Sequence, residues 1–189
     1  MTAITESPEK RFEQRQWLAK FCYGLGLDVG CGAKKISEKA VGIDLGILSG
    51  RQPELISRAY ELPFASGSLD FIVSCHLLEH IADTKRALAE FWRVLKLDGA
   101  CSAIVPDGER FSHAVSTVEH LSAFTPLILR EFFRACGFEI KEEAEFLEGH
   151  SICLGIAAKK TDRSPRYRPE GENGFVWLSG SERRKGRIF

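Results

Sequence analysis

The sequence predicts an α/β domain with a doubly wound, mostly parallel sheet and an antiparallel hairpin at its end. Short apolar runs alternate with segments of helical periodicity, the pattern that puts helices on both faces of a parallel sheet. One such run, Leu27-Asp28-Val29-Gly30-Cys31-Gly32, passes straight into a glycine turn, as a strand does where it delivers backbone to a ligand. Two late apolar runs, separated by Glu148-Gly149-His150, read as the closing hairpin.

The elements follow in order along the chain. Glu9–Cys22 reads as an N-terminal helix, with Phe12, Leu18 and Phe21 as its apolar contacts. Leu25–Val29, Val41–Ile43, Glu54–Ala59 and Asp70–Cys75 read as four strands. Asp83 is a good N-cap for a helix over Thr84–Leu95, whose apolar positions 88, 91, 92 and 95 recur at helical spacing. The turn Lys96-Leu97-Asp98-Gly99 leads into a fifth strand, Ala100–Val105. Thr125 as N-cap and Pro126 at the first helical position open another helix, which Gly137 ends. Phe138–Phe146 and Ser151–Ala158 are the hairpin strands.

Composition sets limits on class. A chain of 189 residues, 44% hydrophobic and 28% charged, suits one soluble globular domain. That domain is placed at residues 1–159, and residues 160–189 read as a basic tail, weakly ordered or docked. No apolar run reaches the length of a membrane span. The opening MTAITESPEKRFEQRQW lacks the apolar core of a secretory leader, so a cytoplasmic home is expected. The six cysteines are scattered at 22, 31, 75, 101, 136 and 153, mostly within apolar stretches. They read as reduced, structural residues. Zinc sites built from closely spaced Cys/His pairs have no counterpart in this spacing, and no metal is expected. The tail carries the excess of Lys and Arg, so the body is acidic and offers no basic stripe for a nucleic acid. The oligomeric state stays open.

The glycine turn points to a nucleoside ligand. A carboxylate at the end of the second strand, Asp44 in Gly42-Ile43-Asp44, can accept hydrogen bonds from both hydroxyls of a ribose. A dinucleotide site would want a third glycine and a helix N-terminus aimed at pyrophosphate. Here Ala33-Lys34-Lys35 follows Gly32, with room for barely two helical turns before the second strand. Asp28 at the front of the loop would repel pyrophosphate and suits an ammonium group. Together these features favour a cationic amino-acid nucleoside over NAD.

The ordered strings LDVGCG, VGIDL and AYELPFASGSLDFIVSCHLLEHIADTKRALAEFWRVLKLDGACSAIVPD resemble the class I S-adenosylmethionine (SAM)-dependent methyltransferases. They are most similar to the small ubiquinone/menaquinone-methyltransferase-like (type 11) group. EHLSAFTPLILREFFRACGFEI resembles that family's region before its final hairpin, so the likeness covers residues 25–159. It implies a seven-stranded Rossmann-like sheet whose last strand is antiparallel, SAM as cofactor and S-adenosylhomocysteine as product. By resemblance, Asp28, Gly30, Cys31 and Gly32 line the methionine end, and Asp44 holds the ribose with Leu45 packed on the adenine. Ala59 and Tyr60 flank the adenine edge, while Cys75 and His76 face the sulfonium. Arg58 departs from the acid the family often carries there, and arginine cannot accept from an adenine amino group.

In-line methyl transfer relies mainly on holding nucleophile and methyl in contact. A base is needed only where the nucleophile must shed a proton. His76, just past the fourth strand, is the first candidate; His113 and His120, in the segment after the fifth strand, are the others. Glu79 and His80 read as a helix start or salt link. The segment 107–124 has no clear periodicity and reads as a lid. The acceptor is expected to be a small molecule or a carrier-linked sugar. A catalytically silent SAM-binding regulator or scaffold is the alternative, and an NAD-linked oxidoreductase a third reading that the glycine turn disfavours.

Overall fold

The computed structural model describes residues 8–46, 52–110, 120–148 and 151–166. Their strands form one seven-stranded sheet. The strands are β1 Gly26–Val29, β2 Ala40–Asp44, β3 Leu55–Ile56, β4 Leu69–Cys75, β5 Leu95–Pro106, β6 Phe138–Glu148 and β7 Ser151–Lys160, in the order β3-β2-β1-β4-β5-β7-β6. β1 to β5 pair in parallel, whereas β7 runs antiparallel to both β5 and β6. The chain builds outward from β1 to β3, then returns to lay β4 against the other side of β1. That reversal is a topological switch point, where the carboxyl ends of two neighbouring strands leave a crevice.

Alternating side chains feed two cores. Leu27, Ile43, Ile72, Cys101, Ala103 and Ile156 face α2 (Thr84–Val94) and α3 (Pro126–Ala135), which bring Leu88, Phe91, Leu129 and Phe133. Phe71, Val73, Ala100, Ile104 and Ala157 face α1 (Pro8–Ala19) with Trp17 and Leu18. The burying stripe of α1 runs through Gln14, Trp17 and Leu18 and continues to Cys22 just past its end, so Phe12 lies exposed on the opposite side, contrary to the sequence expectation. Trp17 takes its place, edge-on to Phe21 and Phe146.

The helix starts agree with local chemistry. The Asp83 side chain accepts from Arg86 N at 3.1 Å, and Thr125 Oγ1 accepts from Ile128 N at 3.3 Å. Gly137 ends α3 at φ 83°. Two elements differ from the sequence expectation, and a third stretch stays without regular structure. β3 shrinks to two exposed residues because it pairs only with β2 at the sheet edge. β5 starts at Leu95, and the expected turn at 96–99 is a bulge inside it, with Asp98 at φ 62° and a register shift between Leu69 and Phe71. No helix forms between Gly32 and β2. The tail begins by docking: Lys160 Nζ donates to Leu95 O at 2.7 Å and lies over the Trp92 ring, and Arg166 N donates to Ala135 O. The hairpin turn at 149–150 and the tail beyond 166 lie outside the described residues.

Candidate functional site

The crevice at the switch point is built from the glycine turn. Gly30 and Gly32 have φ 75° and 54°, conformations glycine adopts without the strain of a Cβ. A Cβ on Gly30 would lie 2.9 Å from Leu77, whereas one on Gly32 would meet nothing within 4 Å. The backbone at Gly32 therefore borders open space that a ligand can approach closely. Gly30 N and Cys31 N both donate to Ile43 O, at 2.7 and 3.2 Å, tying the turn to β2.

Two carboxylates shape this turn. Asp44 Oδ2 accepts from Gly32 N at 2.9 Å and Oδ1 accepts from Leu45 N at 2.7 Å. Asp28 is 1% exposed, and its Oδ2 accepts from Ile36 N at 2.5 Å. Burial pushes the Asp28 carboxyl from its ordinary 3.8 up to about 6, although the Ile36 bond, Arg15 and Lys35 favour its charged form. Arg15 Nη2 donates to Lys35 O, and Lys35 Nζ pairs with Glu54 Oε1 at 2.7 Å. Glu54 Oε2 in turn accepts from Gly42 N at 2.8 Å. Ordered bonds thus brace the stretch where a helix had room to form. Burial also pushes the Cys31 thiol up to about 11.

The far side of the crevice is carried by the 58–66 loop, pinned to α2. Glu90 Oε1 accepts from Leu62 N at 2.8 Å, and Arg93 donates to Phe64 O and Leu62 O while pairing with Glu90 at 2.7 Å. Ala59 is buried at its start. Tyr60 is half-buried; its Oη accepts from Arg58 Nη1 at 2.6 Å and its ring lies under the Arg86 guanidinium at 4.4 Å. Arg58 is thus engaged with Tyr60. Leu45 is exposed.

His76 leaves β4 at φ 54°, a left-handed conformation uncommon for a non-glycine residue and frequent at functional sites. Its backbone N donates to Ile104 O at 2.9 Å, which extends the β4–β5 ladder by one rung. The ring reaches three elements: Nε2 lies 3.3 Å from Gln14 Oε1 on α1 and 3.9 Å from Cys153 Sγ on β7, and Nδ1 lies 3.3 Å from Glu79 Oε1. Cys75 Sγ also contacts Gln14, at 3.9 Å. Glu79 sits in a 3-10 turn, Leu78–His80, with its side chain 1% exposed. Gln14, buried on α1, is the neighbour of His76 that sequence reasoning passed over, whereas Glu79, expected as a helix start or salt link, lies in the 3-10 turn beside His76. A glutamine three and four residues before Trp17 and Leu18, on one helical face, was the available signal for the first.

The 107–124 segment begins and ends within the described residues. Asp107, fully buried, accepts from Glu109 N and pairs with Arg110 Nε at 2.7 Å. Arg110 also pairs with Glu145. On the return, Leu121 N and Ser122 N both donate to Glu79 O, at 2.7 and 3.0 Å, and His120 meets the His80 ring edge-on. His120 is therefore grouped with the 3-10 turn. His113 lies outside the described residues, as does most of the expected lid.

A methyltransferase-domain family (type 11) matches residues 27–103, from β1 into β5. The match takes in β2, β4 and most of β1 and β5, the strands that build the crevice. The chain is 26% identical over 156 residues to a Mycolicibacterium smegmatis protein named "Probable S-adenosylmethionine-dependent methyltransferase", covering 72% of this chain and 61% of that protein. It is 36% identical over 83 residues to an uncharacterized protein of Methanocaldococcus jannaschii, covering 39% of this chain and 33% of the relative. The chain thus spans less than two thirds of either curated relative. The fold matches a Thermotoga maritima structure described as a SAM-dependent methyltransferase, possible histamine N-methyltransferase, at TM-score 0.68 and 20% identity, over 81% of this chain and 90% of that one. Among the described residues no helix is long and apolar enough to cross a membrane.

Proposed function

We propose that this chain transfers the methyl group of SAM to an acceptor bound in the crevice beyond β1, β4 and β5. The observation that carries this reading is the turn at Gly30 and Gly32, open above Gly32 and joined to Asp44 at the switch point. SAM supplies an electrophilic methyl on a sulfonium, which in-line attack removes. In this reading Asp28 faces the ammonium end, Asp44 and Leu45 take the ribose and adenine, and Ala59 and Tyr60 border the adenine edge. Cys75 and His76 stand beside the transferred methyl. The Asp28 carboxylate binds an ammonium only when ionised, so cofactor affinity should rise as pH passes about 6.

His76 is the proposed base where the acceptor is a hydroxyl. Its Nδ1 lies 3.3 Å from the buried Glu79 carboxylate, a negative charge that favours the imidazolium formed when the ring takes a proton. The acceptor class we favour is a small molecule or carrier-linked sugar, because the sequence inserts nothing longer than the 107–124 segment around the crevice. Calorimetric titration with SAM, S-adenosylhomocysteine and NAD tests the cofactor: the first two should bind, and NAD binding in their stead would overturn the reading. Asp44→Ala removes charge-assisted bonds of about 1.5–3 kcal/mol, roughly a ten- to hundredfold loss of affinity. His76→Ala should slow turnover on a hydroxyl acceptor by about 10²–10⁴ with SAM affinity kept. SAM binding with no S-adenosylhomocysteine formed on any acceptor would favour a silent binding protein.

A further inference from the structure

We propose that Glu79, His80 and His120 form a binding site for a divalent transition-metal ion, with zinc the natural fit to one carboxylate and two imidazoles. Three ligand atoms, one from each residue, lie within 4.8 Å of one another. Glu79 Oε1 and His80 Nε2 are 4.0 Å apart. A tetrahedral zinc with bonds of ~2.1 Å separates its ligand atoms by about 3.4 Å, so side-chain rotations of roughly an ångström close the site. A three-ligand His₂Glu set with a position left open is the form catalytic zinc takes.

The second observation is Glu79 itself. Its side chain is 1% exposed, and neither carboxylate oxygen receives a hydrogen bond. His76 Nδ1 stands 3.3 Å from Oε1, at ion-pair distance but off the line a hydrogen bond requires. A buried carboxylate without donors is costly, and proteins meet that cost with a cation or a metal. His76, behind Oε1, then acts on the ion only through Glu79.

The fold assembles the three ligands from two stretches of chain, the turn after β4 and the return toward α3. Glu79 and His80 share the 3-10 turn after β4, and the Glu79 carbonyl accepts from Leu121 N and Ser122 N, which holds His120 against His80 with ring centroids 4.9 Å apart. The His80 side chain is 37% exposed, so the site is walled by Glu79 on one side and open to solvent on the other. Leu77, next in the chain to this turn, lies over Gly30, so the ion would sit at the rim of the crevice. There it can hold an acceptor oxygen as a Lewis acid and lower its pKa, a role that rests on the methyl-transfer reading above. The metal site itself does not.

The test uses the full chain without an affinity tag, stripped with chelator and titrated with Co²⁺ and Zn²⁺. Co²⁺ should saturate at one equivalent with the visible absorption of a low-coordinate ion, and Zn²⁺ should displace it. His80→Ala and His120→Ala, both partly exposed, should abolish saturable binding while keeping the native circular dichroism spectrum. Glu79→Gln should weaken binding by more than about tenfold. Absence of Co²⁺ binding, or binding unchanged in both histidine variants, overturns the proposal. SAM calorimetry on the same stripped protein separates the two readings, since SAM binding without Co²⁺ binding removes only the metal site.

Discussion

Replacing Asp28 with asparagine should make the ligand-free chain more stable and the ligand-bound chain less so. Asp28 is 1% exposed, and its carboxyl rises from 3.8 to about 6 chiefly through desolvation. The native state therefore holds a proton more tightly than the unfolded chain does. Between those two values the folded form binds more protons, so stability declines as pH rises through the window, and the penalty is full above about 6. A rise of this size corresponds to up to ~3 kcal/mol at neutral pH. Asparagine keeps an oxygen for Ile36 N and carries no charge. Asp28→Asn should thus raise unfolding stability by up to ~3 kcal/mol at pH 7.5, or about 6–12 °C in Tm for a chain of this size. The gain should vanish below about pH 4. Urea unfolding of both forms at pH 7.5 and pH 4, without ligand, measures it, and the same curves with saturating SAM should show the wild type gaining more. A variant no more stable than wild type at pH 7.5, or a gain independent of pH, would refute the account of Asp28 as a buried, strained charge.

The cysteines, none of them in a disulfide, should react slowly with thiol reagents in the native chain. Burial holds the Cys22 and Cys136 thiols up at about 12 and Cys31 at about 11, so thiolate is scarce at neutral pH; all six should titrate in denaturant without reductant, and a protected pair would contradict this. Phe133, fully buried between α3 and the sheet, should cost about 3–5 kcal/mol when cut to alanine, read as a lower urea midpoint at constant slope. Gly137→Ala should also destabilise, because the residue sits at φ 83° and a Cβ would come within 2.7 Å of Trp92 Nε1; an unchanged Tm would show that α3 ends by other means.

Most of the frame was legible in the chain because its signals are local. The alternation of apolar runs and helical periodicity, the caps at Asp83 and Thr125, and the glycine at 137 depend on neighbours within a turn or two. The turn at Gly30 and Gly32, with Asp44 at the next strand end, is likewise a short-range pattern, and the turn forms at the end of β1 with Gly32 N bonded to Asp44. What the sequence left undetermined depends on which distant residues meet. β3 shortens because it is an edge strand, and the stretch after Gly32 stays non-helical because Lys35, Glu54 and Asp28 tie it across the sheet. The buried face of α1 was misjudged at Phe12 because periodicity defines a stripe but not which stripe meets the sheet. His76, Gln14 and Glu79 come together from three elements, and His120 reaches His80 only because the strand order carries the chain back past the turn after β4. Local propensity has no access to such meetings; they are set by the order of the strands and by burial, which forces polar groups to find partners wherever the topology puts them.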